Sequence, residues 1–104
     1  MNNVAFIPND KGAFAIDEQG ERIAEMIVGI TGNEMSVYHT GVVERLQGQG
    51  IGRQLVEAMA EHARTNGLKV VIYCPFVKGI FQSQQEAYGD IWEKGKGPEM
   101  KSLK

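Results

Sequence analysis

The hydrophobic pattern changes period once, at Gln47-Gly48-Gln49-Gly50-Ile51-Gly52, and that change limits the folds open to this chain. Upstream the apolar residues alternate. Val4 to Ile7 is a short run stopped by Pro8. Ala13 to Asp17 sets Phe14 and Ile16 on one face. Arg22 to Ile30 sets Ala24, Met26, Val28 and Ile30 opposite Ile23, Glu25 and Ile27. Met35 to Val43 sets Met35, Val37, His39 and Val43 on one face. A period of two predicts strands. The breaks at Asn9-Asp10-Lys11-Gly12, Glu18-Gln19-Gly20 and Thr31-Gly32-Asn33 are too short for anything but turns, so the strands form an antiparallel meander.

Downstream, Ile51, Leu55, Met59 and Ala63 recur every four residues with Val56 and Ala60 beside them, the apolar stripe of a helix. Asn66-Gly67 is a stop signal. Leu68 to Tyr73 is apolar apart from Lys69 and predicts a buried central strand. Pro75 suits the first position of a second helix, running to about Gln85. Tyr88 to Trp92 predicts a last short turn. A strand, a crossover helix and a second strand in one sheet must run parallel. The expected fold is therefore α/β (α+β): a mostly antiparallel mixed sheet, one parallel βαβ unit and a second C-terminal helix. Residues 1–94 form the single domain, and the polar segment 95–104 is a flexible tail.

With 104 residues there is room for one domain. A formal net charge of −2, with both signs mixed along the chain, argues against a nucleic-acid partner, which calls for a basic face. No run approaches the ~20 apolar residues of a membrane span. Met1-Asn2-Asn3 is not the start of a signal peptide, and the single cysteine, Cys74, cannot form an intramolecular disulfide. These features predict a cytoplasmic, reduced protein, a monomer or weak dimer, with no membrane partner and no metal.

Three glycines, Gly48, Gly50 and Gly52, alternate at the start of the long helix. Each is unfavourable there by about 1 kcal/mol relative to alanine. A glycine-rich connector is one explanation. The other is an anion: the first helical turn has unpaired N–H groups and a partial positive charge, and bare glycines let a phosphate reach them. A nucleotide P-loop would require Gly-Lys followed by Ser or Thr, whereas Arg53 and Gln54 follow Gly52. A dinucleotide fingerprint is spaced G-x-G-x-x-G after a first strand; here the spacing is G-x-G-x-G after a meander.

Gln47, Gly50 and Gly52 meet the pattern Q/R-x-x-G-x-G/A. With His39-Thr40-Gly41-Val42-Val43, the helix Leu55 to Arg64, and Cys74-Pro75-Phe76-Val77, the sequence resembles the GNAT N-acetyltransferase superfamily, and within it the compact YjdJ-type subgroup. The resemblance implies a minimal GNAT-like fold that binds acetyl-CoA as cosubstrate. Pantetheine would lie between splayed parallel strands and pair with backbone near Val42 and Val43. The pyrophosphate would rest on Gln47, Gly48, Gln49, Gly50, Ile51, Gly52 and Arg53. Arg53 would add charge, with Arg45 a second candidate.

For acyl transfer to an amine, the candidate catalytic residues are Cys74 and His39. Cys74 ends a strand before a helix opened by Pro75, where the dipole favours thiolate. By resemblance this strand end lies near the CoA sulfur, so Cys74 would take or assist transfer of the acetyl group; the alternative is a small buried hydrophobe. His39 is either a core histidine or a base beside the thiol. Thr40, pointing to the other face, packs or bonds the backbone. Tyr73 and Tyr88 are possible acids by residue type, against half-buried packing roles. The helical pair after the first strand and the C-terminal strands of full-size relatives are missing, which leaves the amine acceptor, small molecule or protein, unidentified. The competing function is a non-catalytic CoA-binding, sensing or protein-interaction module.

Overall fold

The computed structural model describes residues 4–8 and 12–96. Four strands form the meander: β1 (Ala5–Ile7), β2 (Ala13–Glu18), β3 (Glu21–Thr31) and β4 (Glu34–Val42). All three junctions pair antiparallel. A 3-10 turn at Glu44–Leu46 leads to α1 (Ile51–Thr65), which crosses to β5 (Lys69–Ile72), parallel to β4. Then come α2 (Pro75–Ser83) and α3 (Gln85–Tyr88). The sheet order is β1-β2-β3-β4-β5. This is the mixed α/β fold expected from the sequence. The turn expected at Asn9–Gly12 lies outside the described residues except for Gly12, as does the expected tail beyond Lys96.

The stripe on α1 behaves as its spacing dictates: Ile51, Leu55, Val56, Met59, Ala60 and Ala63 are all buried. They join Phe14, Ile16, Met26, Val28, Met35 and Val37 from one sheet face, and Val77, Ile80 and Phe81 from α2, in a single core. Truncating Leu55 or Met59 to alanine should cost about 2–5 kcal/mol. Helix α1 ends in two bonds, from Leu68 N–H to the Ala63 carbonyl at 2.8 Å and from Gly67 N–H to Arg64 at 3.4 Å. That motif satisfies orphan carbonyls and buries Leu68 beside the helix end.

Three expectations are corrected. The segment Leu68–Tyr73 is not a central strand: β5 is the last strand of the order. It is nevertheless buried, because the segment after α3 covers its free edge. Val70 N–H donates to Ile91 at 2.7 Å and Glu93 N–H donates to Val70 at 2.9 Å. Arg64 and Lys69 hold that cover, by Nε to Asp90 Oδ2 at 2.9 Å and by Nζ to the Asp90 carbonyl at 2.8 Å. Second, α2 stops at Ser83, and the helical residues after it belong to the separate α3.

The third correction concerns β4. Its register against β3 runs Ile27↔His39 and then Val28↔Val37, which leaves Tyr38 as an extra residue. A bulge of this kind reverses the alternation beyond it. Met35 and Val37 face the core, Tyr38 and His39 both face outward, and Thr40 and Val42 return to the core side. His39 therefore does not share the Met35–Val37 face, whereas Val43, just past the end of β4, packs against the core.

Candidate functional site

Strands β4 and β5 pair only from Glu34↔Lys69 to Val37↔Ile72. The last bond between them runs from Tyr73 N–H to the Val37 carbonyl at 2.9 Å. Beyond it β5 has ended and the chain turns into α2 at Pro75, while β4 runs on to Val42. The ladder with β3 determines which β4 groups face the gap. Val43 N–H donates to Ile23 at 2.9 Å, so by alternation Thr40 and Val42 turn their backbone groups away from β3, toward the opening. Gln47 Nε2 donates to the Val42 carbonyl at 3.0 Å, which ties the loop to the strand end.

The gap opens into a cleft of about 470 Å³, lined by Thr40 and Val42 on β4, the glycine loop, the first turn of α1, and Phe76 and Ile80 on α2. Gly50 is the N-cap of α1, with no side-chain cap and no acidic residue in the first turn. The first intrahelical bond is Gln54 N–H to Gly50 at 3.2 Å, so the amides of Ile51, Gly52 and Arg53 have no partner within the helix. Together with the dipole they offer an anion three donors and a positive field.

The three glycines have two different reasons. Gly48 and Gly50 adopt φ of +84° and +81°, the left-handed region that bends the chain from the 3-10 turn into α1. Gly52 is helical, but a Cβ there would stand 2.8 Å from Phe76 Cζ. Arg53 lines the cleft, and its guanidinium reaches the Gln84 amide oxygen at 2.8 and 3.2 Å when that amide is oriented to accept. Arg45 pairs with Glu21 instead.

Of the cofactor residues expected from the sequence, Val42, Gln47, Gly48, Gly50, Ile51, Gly52 and Arg53 line one cleft. Gln49 and Val43 are not in that lining, and the Val43 amide is occupied by Ile23. Cys74 is the N-cap of α2, with Pro75 next, and is 4% exposed. Its S–H donates to Thr40 Oγ1 at 3.5 Å, so it sits behind the cleft wall that Thr40 provides. The structure does not bring Cys74 and His39 together: Cys74 meets Thr40 on the core side, while His39 is exposed on the outer face. Tyr88 is buried and stacks on Phe81 at 4.7 Å, and Tyr73 stacks on Tyr38 at 5.5 Å. Sequence reading missed Phe76 and Ile80 as lining residues. Their spacing of four after Pro75 was the available signal, since it sets both on one helix face. Nothing in the sequence marked Gln84.

Among the described residues no group of three or more His, Cys, Asp or Glu is arranged as metal ligands, and no helix is long and apolar enough to cross a membrane. A loop of backbone donors at a helix start, beside the unpaired end of β4, is a geometry suited to an anion. A profile of the GCN5-related N-acetyl-transferase family matches residues 13–91, and the chain belongs to that family. It is similar to a GCN5-like protein from Staphylococcus aureus known from a solution structure, with 34% identity over 88% of this chain and 90% of that one, at a TM-score of 0.66. The ribosomal-protein-S18-alanine N-acetyltransferase of Escherichia coli shares the fold at TM-score 0.57 and 21% identity, over 64% of this chain and 43% of that one. A GNAT family acetyltransferase from Elizabethkingia anophelis, solved with acetyl-CoA bound, does so at TM-score 0.54 and 23% identity, over 61% and 42%. The chain thus spans nearly all of the first relative and less than half of the other two. Curated protein sequences give no match.

Proposed function

We propose that this protein, as a compact YjdJ-type member of its family, is an acetyl-CoA-dependent N-acetyltransferase that acts in the cytoplasm as a monomer or weak dimer. The observation that carries the reading is the single cleft that joins the end of β4 beyond its pairing with β5 to the uncapped first turn of α1. Pantetheine lies in the gap, where Thr40 and Val42 offer backbone groups, and the pyrophosphate rests on the amides of Ile51, Gly52 and Arg53. The Arg53 guanidinium adds the positive charge. The thioester then reaches the closed end of the gap, near Thr40 and Cys74.

Two routes lead from there. In direct transfer, the amine attacks the thioester carbonyl, the C–S bond breaks, and the CoA thiolate takes up the proton the amine loses. In the alternative, the Cys74 thiolate takes the acetyl group first and passes it to the amine. The 4% exposure of Cys74 and its bond to Thr40 favour the direct route. His39, exposed on the outer face, is a base for an amine that approaches from that side, not a partner for the thiol.

The test is calorimetric or thermal-shift titration with CoA, followed by mass spectrometry after incubation with acetyl-CoA. Ligand at 100 times its dissociation constant should add about 2.7 kcal/mol. No response at millimolar CoA overturns the reading. CoA binding with no acetyl transfer to any amine supplied supports the non-catalytic CoA-binding module instead.

A further inference from the structure

Arg53 differs from the other arginines of the chain. Arg22, Arg45 and Arg64 each lie against a carboxylate, of Asp17, Glu21 and Asp90 in turn. Arg53 lines the cleft and, among the described residues, pairs with no carboxylate. Its two terminal nitrogens reach one neutral acceptor, the Gln84 amide oxygen, at 2.8 and 3.2 Å when that amide is oriented to accept. A carboxylate at this place would hold the guanidinium as firmly but cancel its charge. A neutral amide fixes the guanidinium and leaves the charge for another anion.

Gln84 is itself well anchored. It ends α2 and caps the start of α3. Its N–H donates to the Ile80 carbonyl at 3.0 Å, and its own carbonyl accepts from Ala87 at 3.0 Å and Tyr88 at 3.2 Å. On either side, Phe81 and Tyr88 are buried and stack on each other at 4.7 Å. Gln84 is half-buried, whereas Arg53 is exposed. Phe76, Ile80 and Gln84 follow one another at intervals of four. The first two line the cleft directly, and Gln84 reaches it through Arg53.

We infer that Gln84 is a positioning residue for cofactor binding: it holds the Arg53 guanidinium, with its charge intact, beside the first turn of α1, and so sets the affinity for the pyrophosphate of CoA. The inference rests on the CoA reading above. A long exposed side chain loses rotamer freedom when it closes on a ligand, and an arginine already held in place loses less. The contact also ties the start of α1 to the end of α2, the two helices that flank the cleft.

The experiment is calorimetric titration of the full chain with CoA, together with NMR of the Arg53 side-chain nitrogens in the unliganded protein. Gln84→Met keeps the reach and removes the acceptor. Gln84→Glu keeps the contact and cancels the charge. Neither touches the backbone bonds of residue 84, so both should melt close to wild type. Gln84→Met should move the Arg53 resonances and weaken CoA by roughly threefold or more. Gln84→Glu should weaken CoA by roughly tenfold or more and flatten the dependence of affinity on salt. In an Arg53→Ala background, Gln84→Met should cause no further loss. A merely structural role for Gln84 would weaken CoA in both backgrounds alike, and that outcome overturns the inference. Unmoved Arg53 resonances, or wild-type CoA affinity in Gln84→Glu, overturn it as well. Resonances that move in a protein that fails to bind CoA at all uphold the contact and count against the CoA reading.

Discussion

A methyl group on Gly52 would stand 2.8 Å from Cζ of Phe76, so the first turn of α1 and the ring at the start of α2 are fitted to one another. Phe76 is 46% exposed, and its ring can swing outward. Gly52→Ala should therefore leave stability within about 1 kcal/mol of wild type, since alanine also favours the helix. The added Cβ and the displaced ring both intrude on the cleft, and CoA affinity should fall by roughly tenfold or more. Denaturant melts and CoA titration of the same variant check both halves. Undiminished affinity would remove this turn from the binding site.

Gly50 separates backbone strain from charge. Its φ of +81° costs any other residue about 1–2 kcal/mol, yet no atom would meet a Cβ within 4 Å. Gly50→Glu should fold with a lowered melting temperature and lose CoA binding, because a carboxylate occupies the phosphate position. Gly50→Asn suffers less strain and keeps neutrality, so it should retain most of the affinity. Equal CoA affinity in the two variants would show that the pyrophosphate lies elsewhere.

Cys74 Sγ lies 3.5 Å from Thr40 Oγ1, on the core side of β4, while His39 is on the other side. A rotated hydroxyl can donate to a thiolate. Thr40→Val should slow alkylation of Cys74 by iodoacetamide several-fold, and His39→Ala should leave it unchanged. The reverse outcome would restore the imidazole as the partner of the thiol. Mass spectrometry of the peptide that contains Cys74, after incubation with acetyl-CoA, then shows whether the acetyl group stops there.

The cover on β5 should be sensitive to acid. The Arg64 guanidinium beside Asp90 is the main reason its carboxyl is held below the usual value of 3.8. A depressed carboxyl pKa contributes stability above the unfolded value and loses it as pH falls through the folded one. Both side chains are more than a third exposed, so screening limits the pair to about 0.5–1 kcal/mol. Asp90→Asn should lower the urea midpoint at pH 7, and the difference from wild type should shrink below about pH 4. A difference that persists undiminished at low pH would mean that the carboxylate charge is not what holds the cover.

Helix α1, the meander and the parallel return to β5 were legible in the sequence, because each follows from spacing along the chain. Ile51, Leu55, Met59 and Ala63 can share a face only on a helix. Two-residue links such as Gln19-Gly20 can join only antiparallel neighbours. The glycine loop was legible too, since three glycines at a helix start needed an explanation. What could not be read was any feature set by a partner strand or a second helix. Alternation in β4 predicted His39 on the core face, and the bulge at Tyr38, a property of the register with β3, turned it out and brought Thr40 in. Leu68–Tyr73 looked central because it is apolar on both sides, although its second neighbour is the short bridge at Trp92. Gly52 looked like a phosphate glycine alone until Phe76 was in place. Period and turn length are local quantities carried by the chain itself. Register, edge cover and the contact of two helix starts exist only between segments distant in sequence, so packing decided them.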